Sequence, residues 1–226
     1  MLIYGHRGAS AIHPENTLRA FQHALAIGVD GIELDVHATA DGIPVVIHDR
    51  DVGRTTDVSG YVDEIPLARL KTFNAGDGEH VPTLAEVLAL VGGAAHLDVE
   101  IKGTGIERAV LEVLAAYPIV RWAISSFAWV TLRAVRQLDP AAELWPLAER
   151  VDDELFAIAA ELASPAVSLF TGAYTAETAA KLRDAGLRVV VWTVNDPREA
   201  RRVEELGAFA LCTDDPQRIT AFDGTT

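Results

Sequence analysis

Two carboxylates lie two residues apart in the segment 31–49, which reads GIELDVHATADGIPVVIHD. Glu33 and Asp35 alternate there with apolar residues, and side chains two apart on a strand point to the same face. If the apolar face packs against helices, both carboxylates point to the opposite, interior face. A buried carboxylate without a partner is costly, so this pair needs a cation, a basic partner or a raised pKa.

A second segment, LDVEIK at residues 97–102, repeats this alternation with Asp98, Glu100 and Lys102 on one face. If the two strands are neighbours, three of these carboxylates converge near the strand ends. Ligand sets made only of oxygen atoms favour a hard cation such as Mg²⁺ or Ca²⁺, with water completing the shell. The alternative is a salt-bridge network in which Lys102 and Arg7 neutralise the carboxylates without a metal.

Two histidines are placed to act beside these carboxylates. If residues 41–42 form a two-residue hairpin turn, Asp35 pairs with His48 across the hairpin, and directly opposed side chains point to the same side. His6, followed by Arg7, ends the first strand-like run at the same rim. An arginine and a divalent ion would neutralise a phosphoryl group, while two imidazoles would serve as general acid and general base.

The remaining histidines are interpreted as solvated or locally hydrogen-bonded. They are His13, His23, His37, His80 and His96. The chain contains no GxSxG motif, and its single cysteine, Cys212, has no histidine nearby in sequence. No nucleophile motif therefore competes with acid–base chemistry.

Short apolar runs alternate with helical patterns along the chain, and eight such strand–helix units are visible. Six follow one another from about Leu97 onward, a seventh joins LIYG to ENTLRAFQHALAIG, and GIELDV begins the eighth. Eight βα units in about 220 residues indicate an α/β fold of the (β/α)8 TIM-barrel class. A doubly wound open sheet is the alternative, but no GxGxxG follows the first strand.

One long interval interrupts this alternation, because the helix that belongs to the second strand is delayed until Thr83. Loops of this length in a compact domain are usually functional. In a barrel, this one leaves the C-terminal end of strand 2, where active sites lie. We therefore predict a single domain over residues 1–226, with a small insertion at about residues 50–82 that acts as an active-site lid.

Composition argues against several classes of protein. The chain has 226 residues and a net charge of −14, which disfavours a nucleic-acid partner. It begins MLIYGHRG without a leader-like segment, and no apolar run is long enough for an integral membrane segment. One cysteine excludes a disulfide within the chain and fits either a reducing compartment or a protein indifferent to redox conditions. We expect a cytoplasmic protein with a small-molecule substrate, and homo-oligomer formation stays open.

The residues that carry this chemistry resemble those of the glycerophosphodiester phosphodiesterases, in particular the bacterial, cytoplasmic type. The shared motifs span nearly the whole chain in order: HRGAS, HPENTLRAF, IELDVHATADGIPVVIHD, RTT, VPTLAEVL, LDVEIK, SSF, VVVWTVN and TDDP. The resemblance implies a TIM barrel with a small insertion after strand 2. It also implies metal-dependent cleavage of glycerophosphodiesters to glycerol 3-phosphate and an alcohol.

The same resemblance implies a role for each site residue. Three carboxylates would bind Mg²⁺ or Ca²⁺: Glu33, Asp35 and Glu100. Two histidines, His6 and His48, would form the acid–base pair. The resemblance leaves their order open, and we favour His48 as the base and His6 as the acid. Arg7 and Lys102 would bind the phosphate of the substrate. Phe127 and Trp192 would line the pocket for its alcohol part. The strand-6 region, AVSLFTGAY, carries no family motif, so the preferred head group is not predicted.

Two other functions fit many of the same residues. A lysophospholipase D or sphingomyelinase D-like enzyme would share the histidines and the carboxylate site, but it needs an apolar groove for an acyl chain. The insertion offers few residues for that purpose: Val58, Tyr61, Val62, Ile65 and Leu67. A non-catalytic barrel that binds phosphodiesters or metal would be expected to lack one of the histidines, and both are present. A small polar glycerophosphodiester is therefore the favoured substrate.

Overall fold

The computed structural model describes residues 1–221, and residues 222–226 of the predicted domain lie outside the described part. Nine strands occur within residues 1–221: β1 (Leu2–His6), β2 (Gly31–Ala38), β3 (Pro44–Val46), β4 (His96–Ile101), β5 (Arg121–Ser126), β6 (Leu144–Ala148), β7 (Ala166–Phe170), β8 (Arg188–Trp192) and β9 (Ala210–Thr213). The same residues form nine α-helices: α1 (Leu18–Ile27), α2 (Leu67–Leu70), α3 (Leu84–Val91), α4 (Glu107–Ala115), α5 (Trp129–Leu138), α6 (Asp153–Glu161), α7 (Ala176–Asp184), α8 (Pro197–Glu205) and α9 (Pro216–Thr220).

Eight of the strands in the described part of the chain pair in parallel and close into a barrel. Each pairs with the next one along the chain, in the order β1, β2, β4, β5, β6, β7, β8 and β9. The barrel closes where β9 pairs with β1, with Tyr4 beside Cys212. Helices follow these strands on the outside, so the predicted (β/α)8 TIM barrel is confirmed. β3 is antiparallel and pairs with β2.

The strands separate two apolar regions. The larger one lies between the barrel and its helices and contains the fully buried Leu34, Val99 and Val191. The smaller one fills the barrel interior and contains Tyr4 and Trp145. Alternate residues of one strand therefore face different surroundings, as strand geometry requires. At the upper ends of the strands, the inner face is polar and open to the functional site.

The helices are short, and side-chain caps fix where several of them begin. Thr83 begins α3 with a capping box, in which its side chain accepts from the Glu86 N–H and the Glu86 side chain accepts from the Thr83 N–H. α8 and α9 each follow an aspartate cap and carry proline in the first turn. None of the helices within residues 1–221 combines the length and apolar character needed to cross a membrane.

The turn between β2 and β3 contains three residues rather than the two predicted. The Thr39 N–H donates to the Ile43 carbonyl at 3.0 Å, which closes the turn around residues 40–42. Gly42 has a φ of 76°, the left-handed conformation that three-residue hairpin loops use and that glycine adopts without steric cost. The extra residue shifts the pairing of the two strands by one position.

The predicted pairing of Asp35 with His48 is therefore wrong. The Ile47 N–H donates to the Asp35 carbonyl at 3.0 Å, so Ile47 is the residue opposite Asp35. β3 nevertheless ends at Val46, and the chain leaves the strand before His48. His48 reaches the barrel mouth because the backbone turns there, and not because of strand alternation.

The insertion after β3 folds around apolar side chains of its own. It contains two single-turn 3-10 helices, Val52–Arg54 and Val62–Glu64, and the short helix α2. Its buried apolar residues form one cluster with β3: Val45, Ile47, Val52, Val62, Ile65, Leu70, Phe73, Ala75 and Val81. Two of the side chains that an acyl-binding groove would need, Val62 and Ile65, are buried in this cluster.

Candidate active site

A cavity opens at the carboxyl ends of the barrel strands, where active sites of this fold class lie. Eight of the nine predicted site residues line it: His6, Arg7, Glu33, His48, Glu100, Lys102, Phe127 and Trp192. The ninth, Asp35, is fully buried within reach of Glu33 and Glu100. The other lining residues had no assigned role: Asp98, Ser125, Leu147, Ser168 and Cys212. The barrel thus brings residues from distant segments into one site.

Three carboxylates cluster at the base of this cavity. The parallel register of β2 and β4 sets Asp35 directly beside Glu100, and Glu33 precedes Asp35 by two residues on the same face. One oxygen atom from each of Glu33, Asp35 and Glu100 lies within 4.8 Å of the others. Asp98, which pairs with Glu33 in this register, lies deeper in the barrel and outside the group.

With all three carboxylates ionised, the cluster would carry more negative charge than its protein partners neutralise. Arg7 Nε lies 3.2 Å from Asp35, and Lys102 Nζ lies 2.9 Å from Glu100 and 3.5 Å from Asp35. The salt-bridge network considered from the sequence is therefore present, but two cations face three carboxylates. Asp35 Oδ1 is buried and accepts no hydrogen bond from the residues that the structure describes. A divalent cation among these oxygens fits both features.

Crowding changes the protonation of these carboxylates. Burial, reinforced by Asp35 and Glu100, raises the pKa of Glu33 well above its usual value. Burial and the charge of Asp35 raise the pKa of Glu100 to about 8. Burial acts in the same direction on Asp35, but Arg7 and Lys102 hold the pKa of Asp35 below its usual value. A cation bound among them would favour the ionised form of all three.

Arg7 is held at the wall of the cavity by several contacts. Its backbone N–H donates to Glu33 Oε2 at 3.0 Å, and its guanidinium NH1 donates to Glu15 Oε1 at 2.9 Å. Asn16 supports the same region, since its Nδ2 donates to Asp35 Oδ2 at 2.8 Å. Arg7 has a φ of 56°, in the left-handed region, where the chain turns out of β1. These contacts fix the positions of the Arg7 side chain and of the buried Asp35 carboxylate.

His6 is oriented by an aspartate from the other end of the chain. His6 Nδ1 lies 2.6 Å from Asp214 Oδ1, while Ser10 Oγ and Asn195 Nδ2 donate to the same carboxylate at 3.2 and 2.6 Å. Burial raises the pKa of Asp214, but the bonds from these three residues bring it below its usual value. The other ring nitrogen, Nε2, lies 3.8 Å from Glu33 Oε2. Sequence reasoning assigned no role to Asp214, and the TDDP motif was the available signal.

His48 is oriented by its neighbour in sequence. His48 Nδ1 lies 2.5 Å from Asp49 Oδ1, and its backbone carbonyl lies 3.1 Å from His37 Nε2. His48 Nε2 lies 3.1 Å from Lys102 Nζ. A charged lysine can only donate, so Nε2 is the acceptor and the proton of the neutral ring sits on Nδ1. Burial lowers the pKa of His48, which also favours the neutral ring.

Aromatic side chains form one wall of the cavity mouth. The ring centroids of Phe127 and Trp192 are 5.5 Å apart, and those of Phe170 and Trp192 are 5.6 Å apart. Phe127 and Phe170 are 45% and 42% exposed, so both rings present apolar surface beside Trp192. Phe170 ends β7, in the segment AVSLFTGAY for which the sequence predicted no site residue. The wall offers apolar contact to the non-phosphate part of a ligand.

The other histidines are hydrogen-bonded locally, as interpreted from the sequence. The rings of His13 and His23 contact one another at 2.8 Å, and His80 bonds to a backbone carbonyl at 2.9 Å. His96 lies 3.1 Å from the Tyr4 hydroxyl in the barrel interior, away from the cavity. None of these four lines the cavity.

Comparisons with known proteins agree with this fold and site. The sequence model of the Glycerophosphoryl diester phosphodiesterase family matches residues 6–218. A glycerophosphodiester phosphodiesterase of Caldanaerobacter subterraneus subsp. tengcongensis is 34% identical over 232 residues, which cover 96% of this chain and 96% of its own. A phosphodiesterase of Oleispira antarctica, solved in complex with the product sn-glycerol-3-phosphate, superposes with a TM-score of 0.93 at 28% identity, covering 98% of this chain and 96% of its own. The glycerophosphodiester phosphodiesterase of Thermotoga maritima gives 0.85 at 28% identity, covering 98% and 97%.

The chain belongs to the glycerophosphoryl diester phosphodiesterase family. The match runs from His6 to Arg218, so it includes every one of the nine predicted site residues. The similarity to the relatives also extends over nearly the full length of both partners in each comparison. The family predicted from the sequence motifs is therefore confirmed.

Proposed function

We propose that this protein is a divalent-metal-dependent glycerophosphodiester phosphodiesterase, which hydrolyses glycerophosphodiesters to glycerol 3-phosphate and an alcohol. One observation carries the proposal: His6 and His48 line the same cavity as a carboxylate cluster and the cationic side chains of Arg7 and Lys102. Each histidine contacts an aspartate through Nδ1, so each keeps Nε2 for chemistry. Family membership supports the same reaction.

The phosphate of the substrate would bind between Arg7 and Lys102, the two cations that line the cavity. Burial opposes their charge, but the neighbouring carboxylate of Asp35 raises the pKa of both above their usual values. Phe127 and Trp192 would lie along the glycerol carbons, since apolar ring surface at the mouth excludes water from that part of the ligand. The substrate is thus oriented with its phosphorus near both histidines.

His48 acts as the general base in this proposal. Its neutral ring offers a lone pair at Nε2, while Asp49 holds the Nδ1 proton at 2.5 Å. An unprotonated imidazole of this kind can take a proton from a water molecule, whose oxygen bonds to phosphorus as the bond to the alcohol breaks. Lys102, now 3.1 Å from Nε2, would move to a phosphate oxygen, which is a stronger acceptor for an ammonium group than a neutral imidazole.

His6 acts as the general acid. With a proton on each nitrogen, His6 forms one ion pair with Asp214 at 2.6 Å and faces Glu33 at 3.8 Å. Nε2 would donate its proton to the departing alcohol oxygen as the P–O bond breaks. Asp214 keeps the ring in one orientation throughout, because Nδ1 retains its proton and its hydrogen bond to Asp214 after Nε2 has lost its own.

Three residues would hold the metal ion, Mg²⁺ or Ca²⁺: Glu33, Asp35 and Glu100. When bound, such an ion supplies positive charge that stabilises the phosphoryl group. The chain prepares its ligands, since Asn16 Nδ2 and Arg7 Nε fix Asp35 at 2.8 and 3.2 Å. Carboxylate oxygens alone suit these hard cations better than zinc or copper.

The proposal is tested with a panel of glycerophosphodiesters that carry choline, ethanolamine, inositol or glycerol as the head group. Each is incubated with purified protein and Mg²⁺ or Ca²⁺, and glycerol 3-phosphate and the free alcohol are measured separately. We expect equal amounts of the two products from at least one substrate. A His6→Ala, His48→Ala double variant, purified in parallel, controls for contaminating hydrolases. Release of free glycerol with a phosphorylated alcohol, or no release at all, would contradict the proposal.

A small polar substrate is favoured over an acylated one. Val62 and Ile65 of the insertion are buried in its own cluster, so they offer no surface to an acyl chain. The same panel distinguishes the two, because a lysophospholipase D-like enzyme would prefer lysophosphatidylcholine to glycerophosphocholine. A non-catalytic barrel would bind these compounds in a calorimeter without product release.

Two further features belong to the same proposal. The insertion at about residues 50–82 acts as a lid, which is supported by Arg54 reaching out of it to Glu15 and Asp49 beside the cavity. A cytoplasmic location is supported by Cys212, the single cysteine, which is free and buried. Reducing conditions would leave such a protein unchanged.

A further inference from the structure

Glu15 lies between two arginines beside the catalytic cavity. Its Oε1 accepts from Arg7 NH1 at 2.9 Å and from Arg54 NH2 at 2.8 Å, and its Oε2 accepts from Arg54 NH1 at 2.8 Å. The Glu15 side chain is only 20% exposed. The Glu15 carboxylate therefore accepts two hydrogen bonds from Arg54 of the insertion and one from Arg7, which follows β1. The paired bonds between Glu15 and Arg54 fix the relative orientation of the two groups.

The contacts continue from Arg54 to a catalytic histidine. Arg54 Nε donates to Asp49 Oδ2, and Asp49 Oδ1 lies 2.5 Å from His48 Nδ1. An unbroken series of charged contacts thus runs from Arg7 through Glu15, Arg54 and Asp49 to His48. It joins the phosphate-binding arginine to the general base, although these two residues come from different segments of the chain.

Hydrogen bonds on both sides hold the backbone around Glu15 in place. Asn16 has a φ of 58°, its N–H donates to the Arg7 carbonyl at 3.1 Å, and its side chain donates to Asp35. Thr17 then begins α1, where its side chain accepts from the Ala20 N–H. Glu15 is therefore anchored to the barrel by its neighbours, and its carboxylate can hold the two arginine side chains in position.

We propose that Glu15 is a positioning residue, which sets the Arg7 guanidinium for phosphate binding and, through Arg54 and Asp49, sets the orientation of His48. This inference rests on the proposed function. Without the Glu15 carboxylate, the two guanidinium groups would repel each other, and the Arg54 side chain, which is 46% exposed, could swing into solvent. Asp49 would lose a partner, and its hold on the His48 ring would loosen.

The test uses steady-state kinetics of the full-length protein. Glu15→Gln keeps the size of the side chain but removes its charge, so kcat/KM should fall about 10- to 100-fold, the usual worth of charge-assisted hydrogen bonds. The fall should combine a raised KM, through Arg7, with a lowered kcat, through His48. Arg54→Lys keeps the charge but loses the two-point contact, so it should lower kcat with little change in KM.

A double-mutant cycle tests whether Glu15 and Arg54 act together. Adding Arg54→Lys to Glu15→Gln should change kcat by less than about twofold, because both substitutions break the same connection. Glu79→Gln is the matched control: Glu79 pairs with Arg19 at 3.3 Å and also ties the insertion to the barrel, but it lies away from the cavity. Its kcat and KM should match those of the wild type.

Wild-type turnover is measured first, and its absence would overturn the proposed function. With turnover present, a Glu15→Gln variant within about twofold of wild type, additive losses in the cycle, or an equal loss in Glu79→Gln would overturn the positioning role alone. Thermal unfolding monitors the fold of each variant. If Glu15→Gln does not fold, the exposed Arg54→Lys variant carries the test, and an unchanged kcat there would overturn the role.

Discussion

His6 Nδ1 and Asp214 Oδ1 are 2.6 Å apart, although these residues lie near opposite ends of the chain. They meet because β1 and β9 pair when the barrel closes, with Gly5 beside Thr213. His48, in contrast, takes its aspartate from the next position in sequence. One histidine therefore depends on closure of the whole barrel, and the other depends on a local turn.

Both histidines should be separately necessary for turnover. Replacing His6 or His48 by alanine should lower kcat by at least about 10²–10⁴-fold, the usual contribution of a general acid or base. Both side chains are partly exposed, so each variant should keep its fold. A glycerophosphodiester substrate with p-nitrophenol as its alcohol has a leaving group that needs no proton. It should be turned over by His6→Ala but not by His48→Ala. Kinetics that show rescue of neither variant, or of both alike, would refute the assigned roles.

Trp192 should contribute to substrate binding more than to stability. Trp192→Ala removes apolar contact with the glycerol carbons, so kcat/KM for glycerophosphodiesters should fall by about 5- to 150-fold, or roughly 1–3 kcal/mol. Hydrolysis of bis(p-nitrophenyl) phosphate, which contains no glycerol, should fall much less. The two substrates are compared by steady-state kinetics.

Trp145 provides the matched control for this prediction. Its side chain is 1% exposed in the barrel interior, so Trp145→Ala should lower the free energy of unfolding by about 3–5 kcal/mol. Urea denaturation of both variants gives the comparison. A Trp192→Ala protein that is destabilised as much as Trp145→Ala, or that loses both substrates equally, would place Trp192 in the core and outside the site.

His96 should make the protein less stable in mild acid. Burial lowers the pKa of His96 from 6.5 to about 4. The unfolded chain therefore takes up a proton near pH 6.5, while the folded protein does so only near pH 4. Stability is full above pH 6.5 and falls as the pH is lowered through this window, because protons then bind preferentially to the unfolded state.

The measurement is urea unfolding at pH 7 and pH 5 for the wild type and for His96→Gln, which can still accept from the Tyr4 hydroxyl. Between these two pH values the wild type should lose about 1–2 kcal/mol more stability than the variant. Other titrating groups contribute to both proteins and cancel in the comparison. Equal pH dependence in the two proteins would show that His96 is not responsible.

The barrel and the acidic cluster could be predicted because the strands carry their pattern locally. Alternation along β2 and β4 places Glu33, Asp35 and Glu100 on the inner face, and this pattern depends only on the sequence of each strand. The prediction then required only that the two strands be neighbours, and they pair in parallel over six positions. Consecutive strands of a (β/α)8 barrel always meet this condition.

The contacts around the histidines could not be predicted in this way. Asp214 and Glu15 lie in loops, where no periodicity relates a side chain to its partners. His48 was placed by a two-residue turn, whereas the turn in the structure contains three residues, 40–42, with Gly42 in the left-handed conformation. It reaches the cavity through a change in backbone direction after Val46, which strand alternation does not describe.

Dependence on a divalent ion tests the account most directly. Release of glycerol 3-phosphate is measured for untreated protein, for protein freed of metal with EDTA, and for the freed protein after addition of Mg²⁺ or Ca²⁺. We expect turnover to disappear with the metal and to return with it. Glu33→Gln and Glu100→Gln should need more ion for half-maximal activity, because each removes a ligand charge from the cluster. Full turnover by protein that contains no divalent metal by mass spectrometry would contradict the account.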